Sequence, residues 1–389
     1  MKLKNKHIIH KNIPLISALK VINTLMPEPL VLFVVDDNGK MVGTLTDGDS
    51  RRALISGCTT ESPVECIMHK DFKYVELGIN DDVKSLRAIK QCGVTLLPVL
   101  DENRNIVDII NFEKNNTFLP VDAVLMAGGK GVRLRPLTET TPKPLLPVGG
   151  KSIIDYNIDS LMENGIKHIS VTVNYLYEQI EEHFAEPVNG VQIDCIKEPQ
   201  FLGTIGATQF VTKFYNDVVL VMNSDLFTNI DYEDFYLHFK EHNADMSVAA
   251  VPYSISVPYG IFELEGRNIK GVKEKPVYNY FANAGIYLIK RELLENMPKN
   301  TFYNATDLMN DAVASGKTVI RYPITGYWLD IGSHEEYKKA NELVKHIKNK
   351  LCVVQKRNVS AYLFFHIYYK FMGHNNYKHS FMHVKTINN

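Results

Sequence analysis

Residues 125–138, LMAGGKGVRLRPLT, place Gly128, Gly129 and Gly131 directly after an apolar run that ends at Met126. A strand that delivers its chain into a glycine-rich loop is the plan of an α/β protein that grips an anion. Without a Cβ the backbone can approach the ligand, and positive φ costs little. Arg133 and Lys143 then supply positive charge close by. Two familiar phosphate loops are excluded. The dinucleotide fingerprint needs a third glycine where Leu134 stands, and that glycine packs a helix on a strand. Gly150-Lys151-Ser152 copies the end of a Walker A loop, but the glycine required five positions before Gly150 is Leu145, in a proline-rich segment.

The combined pattern, G-G-x-G-x-R-L-x-P-L-T followed by P-K-P-L-L-P-V at residues 142–148, resembles the signature of sugar-1-phosphate nucleotidyltransferases. The resemblance implies that Ala127, Gly128 and Gly129 bind the nucleotide, that Arg133 stabilises departing pyrophosphate, and that Lys143 bridges the α-phosphate and the incoming sugar phosphate. Asp225, in Asn223-Ser224-Asp225, matches the family's metal-binding aspartate. Asp330, in Trp328-Leu329-Asp330-Ile331-Gly332, matches its partner. Taken singly, each aspartate reads as a cap or turn residue; taken with the glycine loop, they read as ligands of Mg²⁺, which accepts carboxylates and phosphate oxygens. Leu202, Gly203, Thr204 and Gly206 match the family's L-G-T-A-G segment, which lies against base and ribose. Ile205 replaces a small residue there and reads as core. Gly260, Glu274, Lys275, Asn283 and Gly285 fall in segments resembling the family's sugar-phosphate contacts, the alternative for Glu274 and Lys275 being a solvated turn.

The pattern between these motifs predicts an α/β fold, a Rossmann-like, mainly parallel sheet with helices on both faces and ligands at the carboxyl ends of its strands. Helices are expected over 152–164 (ended by Gly165), 175–184, 206–214 and 231–242, with strands over 118–126, 168–173 and 217–222. A charged helix over 334–348 closes a catalytic domain placed at 119–349.

Residues 1–115 repeat themselves. Asp36 and Val42 of one apolar hairpin are matched by Asp101 and Val107 of another, and each hairpin follows a segment of helical period, Leu15, Ala18, Leu19, Ile22 and then Val83, Leu86, Ala88, Ile89. Two such helix-strand-strand units resemble a tandem pair of CBS modules, an α+β adenylate-sensing domain of regulatory or dimerising role. Thr46, Asp47 and Asp49 match its ligand-binding T-x-x-D ending and could hold an adenine nucleotide, or simply cap a helix. The second unit lacks that ending, which leaves one adenylate site at most.

The 389 residues suffice for two domains, and a net charge of −1 argues against a nucleic-acid binder. Five scattered cysteines without a C-x-x-C pair fit a reducing cytoplasm. No signal peptide is legible, and no run approaches the roughly 18 apolar residues of a membrane span. Residues 350–389 form an aromatic, histidine-bearing appendage of unassigned role, read as a terminal extension or as a helix for a membrane surface or partner. Without hexapeptide repeats, an acyltransferase β-helix is not expected.

A CBS pair ahead of this catalytic domain resembles hexosamine- and mannose-1-phosphate guanylyltransferases. The expected reaction is Mg²⁺-dependent transfer of a nucleotidyl group, from GTP by preference, to a sugar 1-phosphate, yielding an activated sugar for surface-glycan or nonulosonic-acid synthesis. An assembly of identical chains is expected. The alternatives are a thymidylyl- or uridylyltransferase using glucose 1-phosphate, and a catalytically silent nucleotide-sensing subunit.

Overall fold

The computed structural model describes residues 4–76 and 83–346. From Val121 onward, seven strands form one sheet. Along the chain they are β1 (Val121–Met126), β2 (Ile169–Val173), β3 (Ile193–Lys197), β4 (Val218–Asn223), β5 (Met246–Ser256), β6 (Val277–Lys290) and β7 (Val319–Pro323). Their order across the sheet is β3-β2-β1-β4-β6-β5-β7, and all run parallel except β6, which is antiparallel to β4 and β5. The mainly parallel sheet expected from the sequence is therefore present. Its one reversed strand brings the residues around Gly285 to the end of the sheet where β1 and β4 terminate, since Met222 pairs with Ile286.

Successive residues of these strands face different helical layers, as a doubly covered sheet requires. Ala123 and Leu125 pack with Ile154, Ile158 and Leu161 of the helix Ile153–Glu163, whereas Val124 packs with Leu294 and Leu308 on the other face. Gly165 takes φ +76° directly after the Ile153–Glu163 helix and its cap, Asn164. The helices expected over 175–184 and 231–242 are Tyr177–His183 and Tyr232–Glu241, the latter capped by Asp231.

The helix expected over 206–214 is not formed at that length. A 3-10 turn spans Gly206–Phe210 and the chain then becomes extended at Val211. The N–H groups of Ile205 and Gly206 are spent on the carbonyl of Tyr303, and the Thr208 hydroxyl donates back to the Ile205 carbonyl at 2.7 Å. The Thr208 N–H also donates to the Ile205 carbonyl, at 3.0 Å, and the Val211 N–H to that of Thr208, at 3.1 Å, so the segment closes by i→i+3 bonds instead of an α-helical ladder. Residues 334–346 are helical; 347–349 and the segment 350–389 lie outside the described residues.

The N-terminal repeat has one more element than the sequence predicts. In each unit a short strand, Ile8–His10 or Val75–Glu76, precedes the helix and pairs in parallel with the first hairpin strand, Val31–Val35 or Leu96–Leu100. These strands are too short to show a period. The hairpin turns are built alike: Asp36 Oδ1 accepts the N–H groups of Asn38 and Lys40, each at 2.9 Å, and Asp101 Oδ1 accepts those of Asn103 and Asn105 at 2.9 and 2.8 Å. Gly39 and Arg104 occupy the equivalent left-handed position, with φ of +79° and +65°. Phe33, Met41, Leu96 and Leu100 form one core shared by both units.

The second unit is joined to the larger sheet through packing and charge. Val83 is buried in the core beneath the sheet, Lys84 Nζ lies 2.8 Å from Glu241 Oε1, and Arg87 Nε lies 3.2 Å from Glu233 Oε1. Asn115 Nδ2 donates to the Met162 carbonyl at 3.0 Å.

Candidate active site

The glycine loop, Asp225 and Asp330 converge at the carboxyl ends of β1 and β4. Ala127 is still part of the sheet edge, its N–H donating to Thr172 O at 2.9 Å, and the chain then turns outward through Gly128 and the exposed Gly129. Gly131 takes φ +59°, and its carbonyl accepts the Thr138 hydroxyl at 2.8 Å, which ties the loop back on itself. A Cβ at Gly131 would also strike Thr138 at 2.9 Å, so both conformation and space demand glycine there. Arg133 is exposed on the short 3-10 turn Val132–Leu134. Its guanidinium lies across Gly332, where a Cβ would stand 3.1 Å from Nη2.

Lys143 opens a second 3-10 turn, Lys143–Leu145, framed by Pro142 and Pro144. Its ammonium pairs with Asp225 Oδ2 and lies 3.8 Å from Asp330 Oδ1. A two-stranded ladder brings the carboxylates together: Leu226–Thr228 pairs antiparallel with Trp328–Asp330, setting Leu226 opposite Asp330. The Ile331 N–H donates to the Asp225 carbonyl at 3.2 Å, and Trp328 Nε1 donates to Ala284 O at 2.9 Å. Burial and the neighbouring Asp225 raise the Asp330 carboxyl above the usual carboxylate range, against the opposing pull of Lys143 and Arg133. Asp225 Oδ1 is buried with no hydrogen-bond partner among the described residues. An orphaned carboxylate oxygen, with a second carboxylate beside the same lysine, is a donor set suited to a hard divalent cation that completes its shell with phosphate oxygens and water.

The L-G-T segment is braced from far along the chain. Gly203 takes φ +83° with its α-carbon face against Tyr303 O, and Leu202, almost fully buried, accepts the Tyr303 N–H at 2.9 Å. Thr204 is bonded twice to the next turn, its N–H to Asn304 Oδ1 at 3.2 Å and its hydroxyl accepting from the Ala305 N–H at 2.9 Å. Its side chain therefore holds the loop rather than projecting from it.

The expected sugar-contact residues divide. Gly285, at φ +72°, lies against Asn223, two residues before Asp225, so it belongs to the carboxylate cluster. Asn283 is exposed but tied to its own strand: its Oδ1 accepts the Gly285 N–H and its Nδ2 donates to Tyr287 Oη, each at 2.9 Å. Gly260 and Glu274 sit together on an exposed ribbon, with 3.0 Å between a Cβ at Gly260 and Glu274 Oε2, and Lys275 follows at φ +42°. Among the described residues no hydrogen bond or ion pair joins Gly260, Glu274 or Lys275 to the carboxylates.

Three further residues shape the site, of which only Asn157 lies outside every motif. Asn157 is buried and donates to the carbonyls of Ser224 and Leu226, at 3.2 and 3.0 Å, gripping the backbone on both sides of Asp225. Ser224 donates through Oγ to Met126 O at 2.8 Å, locking the ends of β1 and β4 together. Glu198, 5% exposed, lies against Gly128. It heads the segment 198–207 that the sequence assigns to base recognition, where no role of its own is read from it.

In the N-terminal repeat, Thr46 and Asp49 form a reciprocal capping box on the helix Asp47–Ile55. Asp47 and Asp49 are also paired with Arg51 and Arg52.

The profile of the nucleotidyl transferase family matches residues 122–346, which contain the glycine loop, Lys143 and both carboxylates. The chain belongs to that family. It is 27% identical over 226 residues to the mannose-1-phosphate guanylyltransferase catalytic subunit beta of Xenopus tropicalis, covering 55% of this chain and 62% of that one. It is 27% identical over 237 residues to the mannose-1-phosphate guanylyltransferase of Mycobacterium tuberculosis, covering 58% and 66%. With the bifunctional protein GlmU of Methanococcus maripaludis it shares 30% identity over 241 residues, covering 59% and 55%. The chain thus spans roughly three-fifths of the length of the curated relatives it matches.

Proposed function

We propose that this member of the nucleotidyl transferase family joins a sugar 1-phosphate to a nucleoside triphosphate, with GTP as the nucleotide. The observation that carries this reading is the cluster of Lys143, Asp225 and Asp330 beneath the glycine loop, at the strand ends where an α/β sheet binds ligands. Two relatives named guanylyltransferases favour guanine.

A sugar-phosphate oxygen attacks the α-phosphorus, the bond from that phosphorus to the oxygen bridging it to the β-phosphate breaks, and pyrophosphate leaves with the electron pair. A phosphate monoester, with its second pKa near ~6, is mostly dianionic at neutral pH and already nucleophilic. The site needs no general base, so positioning and charge neutralisation carry the work. The glycine loop presents its backbone to the triphosphate, Arg133 meets the negative charge that builds on the departing pyrophosphate, and Lys143 turns from Asp225 to the phosphate oxygens of both substrates. Asp225 and Asp330 are suited to hold Mg²⁺, which when bound neutralises the phosphate oxygens. Gly285 and the exposed ribbon with Gly260, Glu274 and Lys275 are the sugar side.

In the same reading residues 1–115 are a CBS pair attached to a catalytic domain at 119–349. The capping box of Thr46 and Asp49 favours a structural part for these residues over an adenylate site. The test is pyrophosphate release from a panel of four nucleoside triphosphates and several sugar 1-phosphates. Turnover with GTP is expected; no turnover with any pair refutes the transferase reading, and preference for dTTP or UTP refutes the base.

A further inference from the structure

Half of the exposed large apolar side chains among the described residues lie within residues 253–281, on an arm that leaves the sheet. β5 and β6 run on beyond their neighbours. β7 pairs with β5 only as far as Ala250, and β4 pairs with β6 only from Ile286 onward, so among the described residues 253–256 and 277–280 pair with each other alone. Between these two segments, Ile261–Glu265 and Asn268–Lys273 form a hairpin whose two faces differ. Phe262 opposes Val272 and Leu264 opposes Ile269, which puts all four on one face, because opposed residues and residues two apart point the same way. Each of the four is between 56 and 64% exposed. The reverse side carries Glu263 and Lys273, which pair with each other, and Glu265 pairs with Lys270.

At just over half exposed, an aromatic or large aliphatic side chain leaves on the order of 100 Å² in water, so the arm presents roughly 1,000 Å² of apolar surface. The largest apolar patch of a typical monomer is about 300–600 Å², and a stable pair of proteins buries about 800 Å² on each partner. A lone two-stranded hairpin is also at best marginal in water, so an apolar face of this size requires cover. We propose that the cover is a second copy of this chain, the two hairpins meeting apolar face to apolar face about a twofold axis, the commonest symmetry of identical chains. Each hairpin neutralises its own carboxylates, so two copies bring no unpaired like charges together. The same neutrality gives the face no pull on an anionic lipid or a nucleic acid. The contact also bears on the sugar side. Gly260 and Glu274 are the neck of the hairpin, with 3.0 Å between a Cβ at Gly260 and Glu274 Oε2, so a partner that fixes the hairpin also fixes the neck. That consequence, unlike the dimer itself, rests on the nucleotidyl-transfer reading.

Sedimentation velocity at micromolar concentration compares wild type with two double variants of the apolar face, Phe262→Glu with Leu264→Glu and Ile269→Glu with Val272→Glu, and with Glu263→Gln and Lys273→Gln together on the reverse side. All six side chains are exposed, so none of these changes opens a cavity. Wild type and the reverse-side variant are expected as dimers. Each apolar-face variant should dissociate, its Kd raised by about 100-fold or more, as when buried anchors are lost from the centre of an interface. In those variants KM for the sugar 1-phosphate should rise about 3- to 10-fold while KM for the nucleotide holds, the cost of ordering a segment that no partner preorganises. A monomeric wild type overturns the proposal. So do apolar-face variants that remain dimers, which would place the contact in residues 1–115 or elsewhere, and so does a reverse-side variant that dissociates to the same extent. An unchanged KM for the sugar 1-phosphate in the monomeric variants refutes the coupling to the neck. If wild type is a dimer that turns over no sugar 1-phosphate, the transfer reading has failed and the interface stands, which keeps the two failures apart.

Discussion

Lys143 is ion-paired with Asp225 Oδ2 and also lies 3.8 Å from Asp330 Oδ1, so one ammonium serves two carboxylates, one just before a strand of a short ladder and one at the end of its partner strand. The lysine holds the carboxylates' charge while no phosphate is present. On the proposed function, the same lysine turns to the phosphate oxygens when substrates and a divalent cation bind.

Replacing Lys143 with Met should therefore have two separable effects. kcat should fall by about 100-fold or more, the usual cost of losing one preorganised charge in such a site. Without divalent cation the folded state should lose about 1–3 kcal/mol, the cost of a buried polar group left unpaired. Millimolar Mg²⁺ should recover more melting temperature in the variant than in wild type, as thermal denaturation with and without EDTA will show. Equal Mg²⁺ effects would mean that lysine and cation do not share the carboxylates.

Asn157 grips the backbone on both sides of Asp225 from inside the core. Asn157→Ala leaves two buried carbonyls unsatisfied and should cost about 1–3 kcal/mol. Because Asp225 loses its alignment, kcat should drop on the order of 10-fold while KM for the nucleotide changes little. A fall in stability with kcat unchanged would place Asn157 in the core alone.

These two residues mark what a sequence can and cannot disclose. The glycine loop, Asp225 and Asp330 were legible because their chemistry demands fixed residue types at fixed spacing, and the N-terminal repeat because Asp36 and Asp101 do the same turn twice. Asn157 was not, since an asparagine in an amphipathic helix looks like surface until the ladder beyond it is known. Nor was the brace on Thr204, whose partner Asn304 is 100 positions away. The helix expected through Phe214 ends at Phe210, closed by i→i+3 bonds such as Val211 N–H to Thr208 O, while Tyr303 O ties down its start through the N–H groups of Ile205 and Gly206.

Glu198 gives a pH signature of stability. Its folded pKa is raised above the ordinary 4.5, so between the ordinary value and the raised one the folded chain binds more protons than the unfolded chain. Stability then falls as pH rises through that window. Glu198→Gln removes this penalty, so its melting temperature should exceed that of wild type at pH 7–8 and converge with it near pH 4. A difference independent of pH would show that Glu198 does not titrate differently on folding.

At the junction between repeat and sheet, packing should outweigh charge. Val83 is 1% exposed in the large core, and Val83→Ala deletes two methyl groups there, at about 0.8 kcal/mol each before any cavity cost. Arg87 is 41% exposed, and Arg87→Ala should cost less than about 1 kcal/mol despite its contact with Glu233. Urea denaturation of both variants checks the order; a larger loss from Arg87 would mean that the two parts are held by charge.

The most direct measurement follows the label from GTP. With GTP carrying radioactive phosphorus at the α-position, a sugar 1-phosphate and Mg²⁺, the label should appear in a nucleoside diphosphate sugar, and label at the γ-position should leave as pyrophosphate. Label released as inorganic phosphate from the γ-position, or none transferred from the α-position with any sugar 1-phosphate or nucleotide, would contradict the account built on Lys143, Asp225 and Asp330.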